Sequence, residues 1–365
     1  MQTYDHFNDK NIAPRGVKGI GVYDAQGNRV GRIPLGALAM PADAGKRQYS
    51  FVLIADPHIG SGADGVTAEE RMDRFTRAIQ YLGSNEDIDF ICNCGDIIDK
   101  AADAVTDAQK EDVGNRWTAY DDTIRLWANG KPVRGIAGNH EGYAYCSSDE
   151  AEYIINDVRE KIHEDVCYSF THGGDVFFML SCDKFQNNTY ADGTLKGYRQ
   201  KFTGEDLEKI YNDFFEKHKD QRCFVIMHVP PHPYFKDSTY EGMAADFAGN
   251  GTTHIPIDVW ARYKNLVVFH GHAHGQFSLQ TGTYETANYA EYMGFRSVHC
   301  ASLGDHAEGY IVDVYDKGIH LQGYNFETGK HVPVASYWID TTEQSVPAAD
   351  ITEYMGWLYE DNEEA

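Results

Sequence analysis

Four short motifs follow one another along the chain, and most of them stand directly behind an apolar, β-branched run. Asp56-Pro57-His58 follows the run 49–54, and Gly95-Asp96-Ile97-Ile98-Asp99 follows 88–91. Gly138-Asn139-His140-Glu141 comes third, a lone His228 closes the run 224–227, and Gly271-His272-Ala273-His274 closes 266–269. Runs of this kind read as strands, so the polar clusters fall just past strand ends, where open α/β sheets place their sites. Asp, His and Asn offer oxygen and imidazole nitrogen, a donor set suited to Zn, Mn or Fe rather than to a thiolate site.

The ordered set resembles the calcineurin-like metallophosphoesterase superfamily over roughly Tyr49 to Glu327. The resemblance implies an α/β fold, a four-layer α/β/β/α sandwich of two mixed sheets. It also implies two metal ions (Mn, Fe or Zn, divalent or mixed-valence), one held by Asp56, His58, Asp96 and His274 and the other by Asp96, Asn139, His228 and His272. Asp96 bridges them in this reading. The implied activity is hydrolysis of a phosphate ester by a metal-bridging hydroxide, and the motif pattern looks more like phosphodiesterases and broad phosphatases than protein phosphatases. Asp99 occupies the position where purple acid phosphatases carry a tyrosine ligand, so no charge-transfer colour is expected.

The chemistry also follows from the residues. Two divalent ions facing Asp56 and Asp96 leave a positive centre that attracts phosphate and lowers the pKa of bound water. His140 stands beside Asn139 and is placed to protonate the leaving oxygen. Glu141 has two readings, a carboxylate orienting that imidazole or a helix N-terminal acid beside the dipole. Asp99 reads as a residue behind the ligands, holding the loop or orienting one of them. His232 lies in a proline-rich loop beside His228, whereas His254, His270, His299 and His306 have no motif and read as ordinary core or surface histidines.

Thirty-two basic against 56 acidic residues give a net charge of −24. Such a surface repels nucleic acid and anionic membranes, but small or polymeric phosphate esters drawn in by metal remain allowed. No apolar run is long enough to span a membrane and no signal peptide is visible, so a cytoplasmic location is the expectation. Most of the seven cysteines sit among apolar residues and read as buried thiols, with packing preferred over a zinc pair at Cys92 and Cys94.

Three segments are expected: 1–47, a β-hairpin and linker; 48–327, the catalytic domain; and 328–365, an extension with a short helix around Ile351, Tyr354, Met355 and Leu358 and an acidic tail. Apolar residues at helical spacing mark helices at 68–82, 150–163 and 203–217. The stretches 100–130, with Trp117, Tyr120 and Trp127, and 233–261 read as long loops at the ligand end, where their aromatics either pack or form a sugar or base platform. Strands are expected at 276–281, 295–301, 310–315 and 319–326. Two rival readings stand beside the enzyme: a non-catalytic binding module, and a phage or prophage tail-associated module acting on a cell-surface phosphodiester.

Overall fold

The strands that carry the motifs lie parallel at the centres of two mixed sheets. The computed structural model describes residues 17–23, 29–34, 36–63, 65–99, 107–142, 160–162, 167–181, 184–186, 198–200, 212–228, 263, 265–278, 288–292, 295–342 and 354–359. In chain order the first strands are β1 (Val17–Tyr23), β2 (Arg29–Pro34), β3 (Arg47–Ile54), β4 (Phe90–Asn93), β5 (Val133–Gly135), β6 (Cys167–His172) and β7 (Asp175–Leu180). A small pair, β8 (Lys184–Gln186) and β9 (Tyr198–Gln200), precedes β10 (Cys223–Met227), β11 (Leu266–His270), β12 (Ala290–Tyr292) and β13 (Phe295–His299). The last are β14 (Glu308–Tyr315), β15 (Gly318–Asn325), β16 (Lys330–Asp340) and β17 (Tyr354–Tyr359). The helices are α1 (Ala68–Ser84), α2 (Asp107–Trp127) and two single turns, α3 (Asn139–Gly142) and α4 (Leu303–His306).

One sheet has the order β17-β1-β2-β12-β13-β11-β10-β7-β6, the other β16-β15-β14-β3-β4-β5. In the first, β13, β11, β10 and β7 are mutually parallel; in the second, β3, β4 and β5 are. Strand β3 is buried on both faces, which is why it is apolar without alternation. Phe51 and Leu53 point into a core shared with Phe177, Met179, Phe224, Ile226, Val267 and Phe269 of the facing sheet. Val52 and Ile54 point the other way, onto Phe75, Ile79 and Leu82 of α1 and onto Trp117 and Tyr120 of α2. Across the first sheet, Phe178 stacks on Phe214 of the helical residues 212–218, with ring centroids 4.3 Å apart. Helix α1 begins at Thr67, whose hydroxyl accepts the Glu70 amide while Glu70 accepts the Thr67 amide, a capping box.

Three expectations are corrected. Residues 107–127 form a helix, not a loop, because Val113, Trp117, Tyr120 and Ile124 line one face that packs in the core. Residues 354–359 form strand β17, not a helix: they pair antiparallel with β1, Trp357 opposite Ile20, so the open edge of the hairpin prevails over local spacing. The described part of 276–281 is a turn at Phe277 and not a strand, and the Phe277 amide is held by Glu308. The outlying segments join the two sheets. The hairpin β1–β2 joins the nine-stranded sheet through β12, and β16 pairs with β15 in the six-stranded sheet. The stretch 233–261, His232, His254, the acidic tail and most of the helices expected at 150–163 and 203–217 lie outside the described residues.

Trp117 is 2 % exposed and Tyr120 4 %, so these two are core and not a ligand platform. Trp117→Ala should lower the unfolding free energy by about 3–5 kcal/mol. Denaturant unfolding checks the loss, and an unchanged KM for the best substrate is expected in the same samples.

Candidate active site

At the carboxyl ends of the parallel strands the chain turns through backbone conformations that residues with a Cβ rarely adopt. Of seven described non-glycine residues at positive φ, five are motif residues: Asp56 (52°), His58 (46°), Asp96 (49°), His272 (71°) and His274 (51°). Each such residue costs about 1–2 kcal/mol, and strain of this kind concentrates at functional sites. Neighbouring loops hold it in place. The amides of Asp56 and His58 donate to the carbonyls of Gly95 and Asp96, both at 3.1 Å, and the Gly271 amide donates to the His228 carbonyl at 3.0 Å. The motif glycines are there for room: a Cβ on Gly138 would collide with the Asp96 carboxylate, and one on Gly271 would lie 2.6 Å from Asp56 Oδ2.

These turns bring side chains from both sheets together. Asp56, His58, Asp96 and His274 form one group able to hold a metal ion, and Asp96, His228 and His272 form another. Nε2 of His58 stands 2.8 Å from Nε2 of His274. Nε2 of His228 lies 3.0 Å from Oδ2 of Asp96 and 3.2 Å from Nδ1 of His272. Asp56 accepts the His272 amide at 3.1 Å, tying the first motif to the last. Asn139 opens α3, but its side chain is outside the described ones.

Behind the ligand atoms a further layer fixes the rings. His228 donates from Nδ1 to the Cys94 carbonyl at 2.8 Å, leaving Nε2 toward the centre. His140 donates from Nδ1 to Asp99 Oδ1 at 2.7 Å, and its own amide donates to Asp96 Oδ1 at 2.8 Å. Asp99 therefore orients His140, which leaves Glu141 in its other reading, a carboxylate in the first turn of α3. Glu141 is buried and accepts the amides of Ile98 at 2.9 Å and Gly138 at 2.6 Å, clamping the Gly95 loop to the Gly138 turn. Asp305 holds Nδ1 of His274 at 2.8 Å. No motif pointed to it, although Ser302 capping the Asp305 amide is a short helix-start signal.

Electrostatics follow from the same contacts. Burial pushes His274 and His228 down, but Asp56 and Asp305 raise the former to about 11, and Asp96 and Asp56 raise the latter to about 9. Burial and neighbouring His228 push His272 down to about 3. Burial opposes ionisation of Asp96, yet His228 and His140 hold it well below the usual carboxylate range. His140 is lowered by burial, but Asp96 and Asp99 outweigh this and raise it overall.

Among the histidines without motifs, His270 and His299 are buried beneath the site and His306 lies 3.1 Å from the His274 carbonyl. Cys92 and Cys94 are buried free thiols whose pKa burial pushes up, as packing requires.

The sequence profile described as calcineurin-like phosphoesterase matches residues 49–276, more than half of the chain, from Tyr49 within β3 to beyond His274. The chain belongs to the calcineurin-like phosphoesterase family. No curated protein matches it with significant similarity. Solved structures similar to it include a calcineurin-like phosphoesterase, YfkN, from Bacillus subtilis, at 12 % identity over 81 % of this chain and 89 % of that one, with a TM-score of 0.38. A conserved uncharacterized protein from Streptococcus pneumoniae, described as a predicted phosphoesterase, shares 10 % identity over 80 % of this chain and 97 % of its own, with a TM-score of 0.31. The NAD nucleotidase of Haemophilus influenzae shares 10 % identity over 85 % of this chain but 53 % of its own length, with a TM-score of 0.39. No described helix is long and apolar enough to cross a membrane.

Proposed function

We propose that the chain hydrolyses a phosphate ester, with phosphodiesters as the substrate class, at a centre of two divalent transition-metal ions. The observation that carries this reading is Oδ2 of Asp96, a buried carboxylate oxygen whose neighbours are imidazole nitrogens and which makes no well-formed hydrogen bond. It faces Nε2 of His228 at 3.0 Å, of His58 at 3.7 Å and of His140 at 3.8 Å. A buried anionic oxygen ringed by imidazole nitrogens, with the rings of His228 and His140 anchored on their far sides, fits a shared metal ligand. Asp56, His58 and His274 would hold one ion, Asn139, His228 and His272 the other, and Asp96 both.

Bound there, the ions supply Lewis acidity that activates water and stabilises charge on the phosphoryl oxygens. The chain supplies the rest. Asp99 fixes His140 through Nδ1 and turns its Nε2 toward Asp96, so the ring presents a proton at the centre rather than to solvent. As the water oxygen bonds to phosphorus and the ester P–O bond breaks, the departing oxygen takes that proton from Nε2. Glu141 keeps the Gly138 turn, and with it His140, at a fixed distance from Asp96.

Diesters are favoured because Arg116 and Arg134, among the described residues, are engaged elsewhere. Arg116 donates to the Asp99 carbonyl and pairs with Asp112, and Arg134 lies over the Phe170 ring at 5.3 Å. Neither is set as a fork for a dianionic monoester. Matched kinetics on bis-aryl and alkyl-aryl diesters against aryl monoesters test this, with diesters expected to be cleaved at least as well. A strong monoester preference would make the protein a general phosphatase. Elemental analysis should find about two metal equivalents; no metal, and no activity on adding Mn, Fe, Zn, Co or Ni, would favour a binding module.

Metal uptake should also release protons. With pKa values raised to about 9 and about 11, His228 and His274 are protonated near neutral pH in the metal-free chain. Both must lose a proton to ligate, so roughly one proton leaves from each. Calorimetric titration in two buffers of different ionisation enthalpy measures the number, and identical heats in both would contradict it.

A further inference from the structure

The polar layer behind the site is continuous, and its middle is an arginine on the apolar face of α1. Arg71 is 2 % exposed and shares that face with Phe75, Ala78, Ile79 and Leu82. Its Nη2 donates to Asp305 Oδ1 at 2.5 Å, and the other oxygen of Asp305 holds Nδ1 of His274 at 2.8 Å. Its Nη1 donates to the Ser61 carbonyl at 3.3 Å and reaches the Ser61 hydroxyl at 3.5 Å. That hydroxyl donates to Asp99 Oδ2, and Asp99 Oδ1 holds His140. One guanidinium thus connects the carboxylate behind His274 with the carboxylate behind His140.

An ion pair this buried, with side chains 3 % and 9 % exposed, is a poor stabilising device, since desolvation offsets most of its attraction. Nor does α1 need it, being capped at Thr67 and packed through its apolar residues. The flanking contacts all serve to fix Asp305. Arg74 donates to the carbonyls of Gly304 and Asp305 at 2.7 and 2.9 Å, and Ser302 accepts the Asp305 amide at 3.1 Å.

We propose that Arg71 and Asp305 are positioning residues of the active site: Asp305 sets the tautomer and orientation of His274 for metal, and Arg71 locks Asp305 while steadying Asp99 through Ser61. This rests on the metal reading given above. Removing such partners behind a ligand typically costs 10–100-fold in metal affinity.

The test is calorimetric titration with Mn²⁺ of chelator-stripped full-length protein, for wild type, Arg71→Met, Asp305→Asn and the double variant. Each single variant should weaken one of two binding steps by about 10–100-fold and leave the other unchanged. The double variant should be little weaker than the singles, because the two residues act as a unit. Arg71→Met, which also frees Ser61, should slow alkyl esters more than nitrophenyl esters; Asp305→Asn should slow both alike. Arg77→Met, on the exposed side of α1, is the control and should leave both steps intact. Asp305→Asn preserves side-chain shape and keeps the test open if Arg71→Met fails to fold. Wild-type isotherms for the variants would overturn the assignment. So would equal weakening of both steps together with a lower melting temperature of the metal-free chain, which marks a merely structural role. A wild-type protein that takes up no Mn²⁺ would overturn the metal reading itself, and this assignment with it.

Discussion

Asp96→Asn is expected to abolish turnover and to take metal with it. The carboxylate belongs to both ligand groups, and its two oxygens are divided between two tasks: Oδ1 accepts the His140 amide and Oδ2 faces the imidazoles. The amide keeps the shape but loses the charge, and it can turn an NH₂ toward a centre that requires an acceptor. The loss should exceed the roughly 10–100-fold seen when only a residue behind a ligand is changed, and metal content should fall below that of any single-ligand variant. Turnover by stopped assay and elemental analysis on the same preparation decide the matter. Near-wild-type rates with two metals bound would remove Asp96 from the bridging position.

His140→Ala should divide substrates by their leaving groups. A nitrophenolate departs without help, whereas an alkoxide from a sugar, glycerol or nucleoside requires a proton as the bond breaks. General acids of this kind contribute about 10²–10⁴-fold, so alkyl esters should slow by that order while nitrophenyl esters lose far less. Metal content should hold, because the His140 ring is tied to Asp99 and not counted among the ligands. Equal losses on both substrates with metal retained would remove the acid role, and loss of metal would make His140 a residue that positions ligands.

The site was readable because its residue types are concentrated: donors cluster behind apolar runs, and the runs are apolar because strands such as β3 bury both faces. What escaped was set by contacts distant in sequence or by diluted patterns. The stripe Val113, Trp117, Tyr120 and Ile124 of α2 is interrupted by acidic residues and Gly114, which made a helix look like a loop. Tyr354, Met355 and Leu358 fit helical spacing, but β1, at the other end of the chain, offers them an edge. Adjacency suggested Glu141 as the partner of His140, yet one turn of α3 sends that carboxylate to the Ile98 and Gly138 amides and leaves Asp99 to do the task. Asp305 lies 31 residues after His274, and no spacing rule joins them. Arg71 could have been noticed as a charge on an otherwise apolar helix face.

The five motif residues in left-handed backbone carry a consequence for anyone selecting variants of this chain. Glycine at any of those positions relaxes the turn, which returns about 1–2 kcal/mol of backbone strain to the metal-free fold. Libraries screened for heat tolerance in the presence of a chelator should therefore be enriched in proteins that melt late and do nothing, whereas the same screen run with excess metal rewards the side chains that strain the loop.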